Sequence, residues 1–358
     1  MNTTKEKFIA DLLTWFSSHK RDLPWRKNKN PYHILISETM LQQTQVATVI
    51  PYFENFITLF PTPEILAVAE QDALMSAWAG LGYYSRARNL QASAQMITAL
   101  GHFPDTHEEI LKLKGVGPYT AGAIASIAFA LPTPAVDGNV FRVISRLFCI
   151  AEDITKPKTR LLFEQTVSDL IPHDKPGDFN EALMELGATT CLTKNPTCNI
   201  CPVRVSCLAY ARGQILDFPV KSKLKTKQVI KQLVILIENE NGEFLISQRP
   251  DTGLLANFYE FIQIENKQEK DTLDLLTEIF DFDHREDMLK HQEFIGRFEH
   301  VFTHRVWEID AFYIKISHLD YLKPGSFWVA KKELRKFALS TIHLKIFDQW
   351  NGQLTLGL

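Results

Sequence analysis

Four of the five cysteines in this chain of 358 residues crowd into a single short stretch: Cys191, Cys198, Cys201 and Cys207, spaced C-x6-C-x2-C-x5-C, with Cys149 standing apart. Thiols this close in sequence converge on one centre at little cost in loop closure. The odd count, and an N-terminus without the apolar core of a signal peptide, argue for a metal site rather than a disulfide framework, and for a cytoplasmic protein. Zinc sites generally use two C-x2-C knuckles and only one is present. The bacterial ferredoxin spacing differs as well. Cys149 is expected on the apolar face of a helix, as a core residue.

The rest of the sequence falls into two regimes. Residues 1–220 read as helix after helix, with Phe8, Leu12, Trp15 and Phe16 forming the first apolar stripe. Further helices are predicted at 34–49 (stopped by Pro51), 64–69, 72–78, 86–100, 106–113, 118–130, 138–149, 159–171 and 179–191. After Pro219 the pattern changes. Strands are expected at 229–238, 244–247, 294–302 and 306–316, with Asn241-Gly242 as a two-residue hairpin turn, and helices at 273–280 and 343–350. Between the regimes Lys221, Lys223, Lys225, Lys227 and Lys231 occur without an acid, a pattern that suits a solvated linker. The expected division is an all-α region over 1–220, a basic linker over 221–231 and a small α+β domain over 232–358. A net charge of −3 restricts any nucleic-acid contact to local patches and backbone amides. The longest apolar run, 121–135, is short of the ~20 residues of a spanning helix and contains prolines.

Three polar motifs lie in the helical region. Gly115-Val116-Gly117 separates two helices, the second starting at Pro118, so the open N–H groups of that helix form a ready anion site. Glu38 is a lone charge among apolar residues, where burial should hold its proton near neutral pH. Asp137, in Val136-Asp137-Gly138-Asn139-Val140, precedes a helix and reads locally as an N-cap.

The cysteine spacing behind a Gly-Val-Gly hairpin resembles the endonuclease III superfamily of DNA glycosylases. Ser37-Glu38-Thr39-Met40-Leu41-Gln42-Gln43-Thr44-Gln45-Val46 resembles, within it, the MutY-type adenine DNA glycosylases. The resemblance implies one [4Fe–4S] cluster on Cys191, Cys198, Cys201 and Cys207, and a helix-hairpin-helix whose Gly115, Val116 and Gly117 meet a DNA phosphate. It implies that Glu38 protonates adenine while Asp137 stabilises the oxocarbenium ion, supported by Asn139 and Tyr119. Bifunctional members carry a lysine at the position of Tyr119; a phenol forms no Schiff base, which points to hydrolysis alone. Trp25 and Arg26 would touch the flipped adenine and Glu181 its edge, while Gln43, Leu81 and Tyr83 would enter the base stack.

The C-terminal part resembles the MutT-like (Nudix-like) domain of the same family, with Phe302-Thr303-His304 as its 8-oxoguanine recognition loop, so that Thr303 and His304 address the damaged base. Residues 254–261 depart from the family run, with Asn257 and Tyr259 where glycine and tryptophan are expected. No Arg-Glu-x-x-Glu-Glu cluster follows Gly253, so the carboxylates that would hold magnesium are missing and the domain is expected to recognise rather than hydrolyse. The expected enzyme is a monomeric, monofunctional glycosylase acting on duplex DNA with adenine opposite 8-oxoguanine or guanine, cytoplasmic and nucleoid-associated when bound to DNA. Its rivals are a bifunctional endonuclease III-like glycosylase/lyase and a non-catalytic iron–sulfur DNA-binding protein.

Overall fold

The computed structural model describes residues 2–222, 227–250, 252–266, 292–302, 304–316 and 325–352. The chain divides into two compact units, Met1–Lys223 and Leu224–Leu358. Among the described residues no helix is long and apolar enough to cross a membrane.

The first unit is helical and built on two separate cores. One packs α2 (Pro31–Leu41), α3 (Val46–Leu59), α4 (Pro63–Ala67), α5 (Gln71–Trp78), α6 (Ser85–Leu100) and α8 (Pro118–Phe129) around Ile36, Met40, Phe56, Trp78 and Ile124, with α7 (His107–Ile110) leading into α8. The other joins α1 (Asn2–His19) to α9 (Gly138–Phe148), α10 (Pro157–Ser168) and α11 (Pro176–Thr189) around Leu12, Val140, Ile144, Phe163 and Phe179. Helix starts follow local chemistry. Proline occupies the first turn of α2, α4, α8, α10 and α11, where its missing N–H would be unpaired anyway. Asn30, Thr106 and Asp137 cap α2, α7 and α9 through side-chain oxygens, and Gly101 closes α6 in the left-handed conformation.

Two expectations are corrected here. Residues 34–49 form not one helix but the end of α2 and the start of α3, broken at Gln42–Gln45, where Gln43 takes φ +61°. That polar run has nothing apolar to bury. Pro51 does not stop the helix; it lies inside α3, exposed and near enough to the start that it forfeits only the bond to the Ala47 carbonyl. Cys149 is not on a helix face either. It is the left-handed C-cap of α9 (φ +52°) and half-buried.

Among the described residues the second unit is built on a mixed seven-stranded sheet. Its central strand β1 (Gln228–Glu238) runs parallel to β6 (Arg305–Lys315) from Gln228↔Arg305 to Glu238↔Lys315. On its other side β1 pairs with β4 (Ile262–Glu265) and turns into β2 (Glu243–Gln248). Strands β3 (Tyr259–Glu260) and β7 (Ser326–Ala330) flank β2, and β5 (Gln292–Val301) flanks β6. Leu233 to Ile237 are all buried because β1 is covered on both faces: Val234 and Leu236 join one cluster, Leu233, Ile235 and Ile237 the other. The terminal helix Thr341–Trp350 inserts Ile342, Ile346 and Phe347 into the first of these. The β1–β2 turn is longer than the predicted two residues. The Gly242 N–H bonds the Asn239 carbonyl and Asn239 N–H the Glu243 carbonyl, with Gly242 at φ +74°, the geometry of a turn followed by a glycine bulge. β1 also takes residues 228–231 from the expected linker. Thr303 and the helix expected at 273–280 lie outside the described residues.

Candidate active site

Glu38 projects from the buried stretch of α2, 7% exposed, into a cleft of about 580 Å³ that also receives Trp25, Arg26, Gln43, Tyr119, Asp137, Asn139 and Glu181. The two carboxylates predicted to act together therefore face one cavity, although they ride on different cores. Their surroundings differ. Burial, assisted by the charges of Asp137 and Glu181, raises the Glu38 carboxyl to about 7, against the pull of Tyr119 and Arg26. Its side-chain hydrogen bond is from the Tyr119 hydroxyl to Oε2, at 2.5 Å. The same hydroxyl lies 3.1 Å from the Met184 sulfur, and burial and the neighbouring carboxylates hold the phenol well above its usual range.

Asp137 caps α9: Oδ1 accepts from the Val140 N–H at 2.7 Å, and Oδ2 accepts from Asn139 Nδ2 at 2.8 Å. Burial pushes its carboxyl up, but these bonds oppose the shift. A carboxylate with two donors at a helix N-terminus keeps its charge more readily than one resting on a single phenol. The local reading as an N-cap and the catalytic reading thus describe one residue.

Arg26 ties the rim together. Its Nε donates to Glu181 Oε1 (2.8 Å) and its Nη2 to Glu185 Oε2 (2.9 Å), while Arg21 Nε meets Glu185 Oε1 (2.6 Å). Burial pushes Glu185 up, but the two guanidinium groups outweigh it and hold the carboxyl below its ordinary value. Trp25 is buried edge-on against Phe53, 5.4 Å between centroids. Gly115 takes φ +77° and is pressed against Asn89, while Gly117 is the extended N-cap of α8. The N–H groups of the first turn of α8 follow this hairpin, as its sequence predicted.

Leu81 is a correction. The resemblance places it in the base stack, but it is 6% exposed and packed into the first core. The residues presented outward are Gln43, exposed at φ +61°, and Tyr83, half-exposed at φ +47°. Each left-handed non-glycine residue costs about 1 kcal/mol, which marks both as held in place. His304 is exposed in the second unit, beside a cluster of His300, Phe302 and Trp307 rings. Asn257, standing where the family run has glycine, takes φ +62°, a conformation asparagine tolerates better than most residues.

The four clustered cysteines line one cavity together with Val143, Leu147, Leu186 and Val203. None of them forms a disulfide. Burial and the three neighbouring sulfurs push Cys201 up to about 12. Among the described residues no three His, Cys, Asp or Glu side chains are gathered as a single ion would require, whereas one zinc draws its sulfurs to about 2.3 Å from itself. An all-sulfur set around an apolar cavity fits a larger sulfur-ligated group. The fully buried Arg146 donates to Cys191 Sγ at 3.3 Å and to the carbonyls of Leu192, Thr193 and Ile215. Arg142 joins this loop to the cleft, bonding the Cys191 and Gly187 carbonyls and Asn139 Oδ1. Sequence reading did not single out Arg142, Arg146, Met184 or Gly187, whose Cα is so close to Asn139 that a Cβ would lie 2.5 Å from the Asn139 Cβ.

Comparison with known proteins gives two matching families: HhH-GPD superfamily base excision DNA repair proteins over residues 36–169 and the NUDIX domain over 233–349. The human adenine DNA glycosylase is 34% identical over 97% of this chain and 74% of its own length. That of Buchnera aphidicola subsp. Baizongia pistaciae is 34% identical over 87% of each. Among solved structures, a thermostable thymine-DNA glycosylase (28% identity, TM-score 0.54) spans 59% of this chain and 98% of its own. A trapped endonuclease III–DNA covalent intermediate (26%, 0.51) spans 60% and 98%.

Proposed function

Because the chain belongs to the adenine DNA glycosylases of the HhH-GPD superfamily, we propose that its substrate is duplex DNA in which adenine is mispaired with 8-oxoguanine or guanine, and that it releases that adenine by hydrolysis. The observation that carries the chemistry is the pairing of Glu38 and Asp137 in one cleft with carboxyls in contrasting circumstances. Adenine leaves only if a proton reaches it as the C1′–N9 bond breaks. The positive charge growing on the deoxyribose needs an anion beside it. Glu38, protonated up to about pH 7, supplies the proton; Asp137, held by Val140 and Asn139, supplies the anion. Water adds to the sugar, the Glu38 carboxylate or Asp137 takes the excess proton, and an abasic site remains. Tyr119 orients Glu38 and offers no amine for strand cleavage.

An adenine must leave the helix to reach a cleft of this depth, at a cost of a few kcal/mol that is least at a faulty pair. Gln43 and Tyr83 are the exposed, locally strained side chains that would enter the stack. Trp25, Arg26 and Glu181 line the receiving cleft, and the α8 N-terminus offers amides to a phosphate. Cys191, Cys198, Cys201 and Cys207 would hold one [4Fe–4S] cluster, which when bound cross-links the loop after α11. His304, with Thr303, would address the damaged base from the NUDIX domain.

The test is single-turnover base release from duplexes with adenine opposite 8-oxoguanine, guanine or thymine. We expect rapid release from the first, slower from the second and none from the third, with activity lost in Glu38→Gln while duplex binding survives. Equal release from a normal pair would refute the mispair reading. Borohydride trapping of an obligatory lysine adduct would favour the bifunctional alternative.

A further inference from the structure

Arg86 is 8% exposed in the first turn of α6, and among the described residues no carboxylate pairs with it. Its guanidinium bridges two chain segments instead. Nη1 donates to the carbonyls of Thr39 (2.8 Å), Met40 (3.2 Å) and Gln42 (2.7 Å) at the end of α2. Nη2 donates to those of Leu81 (3.0 Å) and Gly82 (3.3 Å). The carbonyls at a helix C-terminus lack intrahelical partners and favour a cation. The residue that follows the bound carbonyl in each segment is exposed and left-handed, Gln43 after Gln42 and Tyr83 after Gly82. Tyr83 also lays its ring 5.4 Å from the Arg86 Cζ.

We propose that Arg86 is a positioning residue that locks Gln43 and Tyr83 into one rigid probe, so that the two enter the duplex together and not one after the other. This rests on the reading that both side chains meet DNA. The guanidinium suits the task because its planar fork fixes the direction of both donor groups; an ammonium on a flexible stem offers three donors around one atom and cannot span both segments in a set geometry. A probe already fixed before contact loses less freedom on insertion than two independent side chains would.

The test is a coupling measurement on the full chain: single-turnover release of adenine opposite 8-oxoguanine, normalised to active sites so that a misfolded fraction does not count. Gln43→Ala, Tyr83→Ala and the double variant are compared first in the natural chain, then with Arg86→Lys added. In the natural background the two alanine substitutions should be non-additive by about three-fold or more. With Arg86→Lys they should simply multiply. Arg86→Lys alone should slow release about ten-fold by misplacing the probe without moving the alkaline limb set by Glu38, which Arg86 does not touch. Non-additivity that persists undiminished in the Arg86→Lys background would overturn the proposal while leaving Gln43 and Tyr83 as DNA contacts. If neither alanine variant slows release, the underlying DNA-contact reading fails, and the proposal falls with it.

Discussion

Glu38→Gln should make the protein more stable while it destroys catalysis, and the gain should depend on pH in a defined direction. A carboxyl raised from its ordinary 4.5 to about 7 carries a penalty on its ionised form of about 3 kcal/mol, at about 1.4 kcal/mol per tenfold change in proton affinity. Between those two pH values the unfolded chain has released the proton and the native one still holds it. The native state therefore binds more protons, and its stability falls as pH rises through this window. Glutamine has no charge to bury and its Oε1 can still accept from Tyr119. The variant should match the natural chain near pH 4.5 and gain progressively, reaching a plateau of about 3 kcal/mol above pH 7. For a unit of this size that is on the order of 6–10 °C in Tm. Thermal unfolding followed by helical ellipticity, which the first unit dominates, measures it at several pH values. A gain independent of pH, or a loss that grows with pH, would refute the idea that Glu38 sits in an ionisation-penalising site.

In the proposed reaction the same residue sets the kinetics, so single-turnover base release should fall roughly ten-fold per pH unit above about 7. Tyr119→Phe removes the bond that steadies the Glu38 carboxylate, so that limb should move to higher pH; a downward move would count against the assignment. Gly187→Ala forces a methyl into Asn139 and should destabilise by about 1–3 kcal/mol and slow base release, checked by unfolding and by turnover at saturating DNA. Cys198→Ser should cut bound iron from about four atoms per chain to near zero and lower the Tm of the first unit; full iron retention would exclude Cys198 as a ligand.

What the sequence disclosed was mainly chemistry that is local in the chain. The cysteine spacing, the glycines before Pro118 and the helix predicted behind Asp137 each state their structure within one or two turns. What stayed hidden was set from far away. The carbonyls left open at the break before Gln43 are bound by Arg86, a partner in a different helix that the local polar run does not reveal. Leu81 reads equally well as wedge or core until Trp78 and its neighbours enclose it. The short strands Tyr259–Glu260, Ile262–Glu265 and Ser326–Ala330 have too few residues to show a period. Cys149 looks apolar-faced by helical counting, but the helix ends one residue before it.

Glu38 and Tyr119 belong to helices of one core, Asp137 to a helix of the other. The proposed proton donor and the proposed counter-charge thus stand on helices of different cores within one compact unit, and Asn180 of α11 ties the two cores by donating to Ser126 Oγ and to the Thr133 carbonyl. A substitution at such a tie, even one that does not touch the cleft, would change the gap across which the proposed nucleotide must fit. Loss of that tie should consequently weaken activity through the spacing of the two carboxylates as well as through stability.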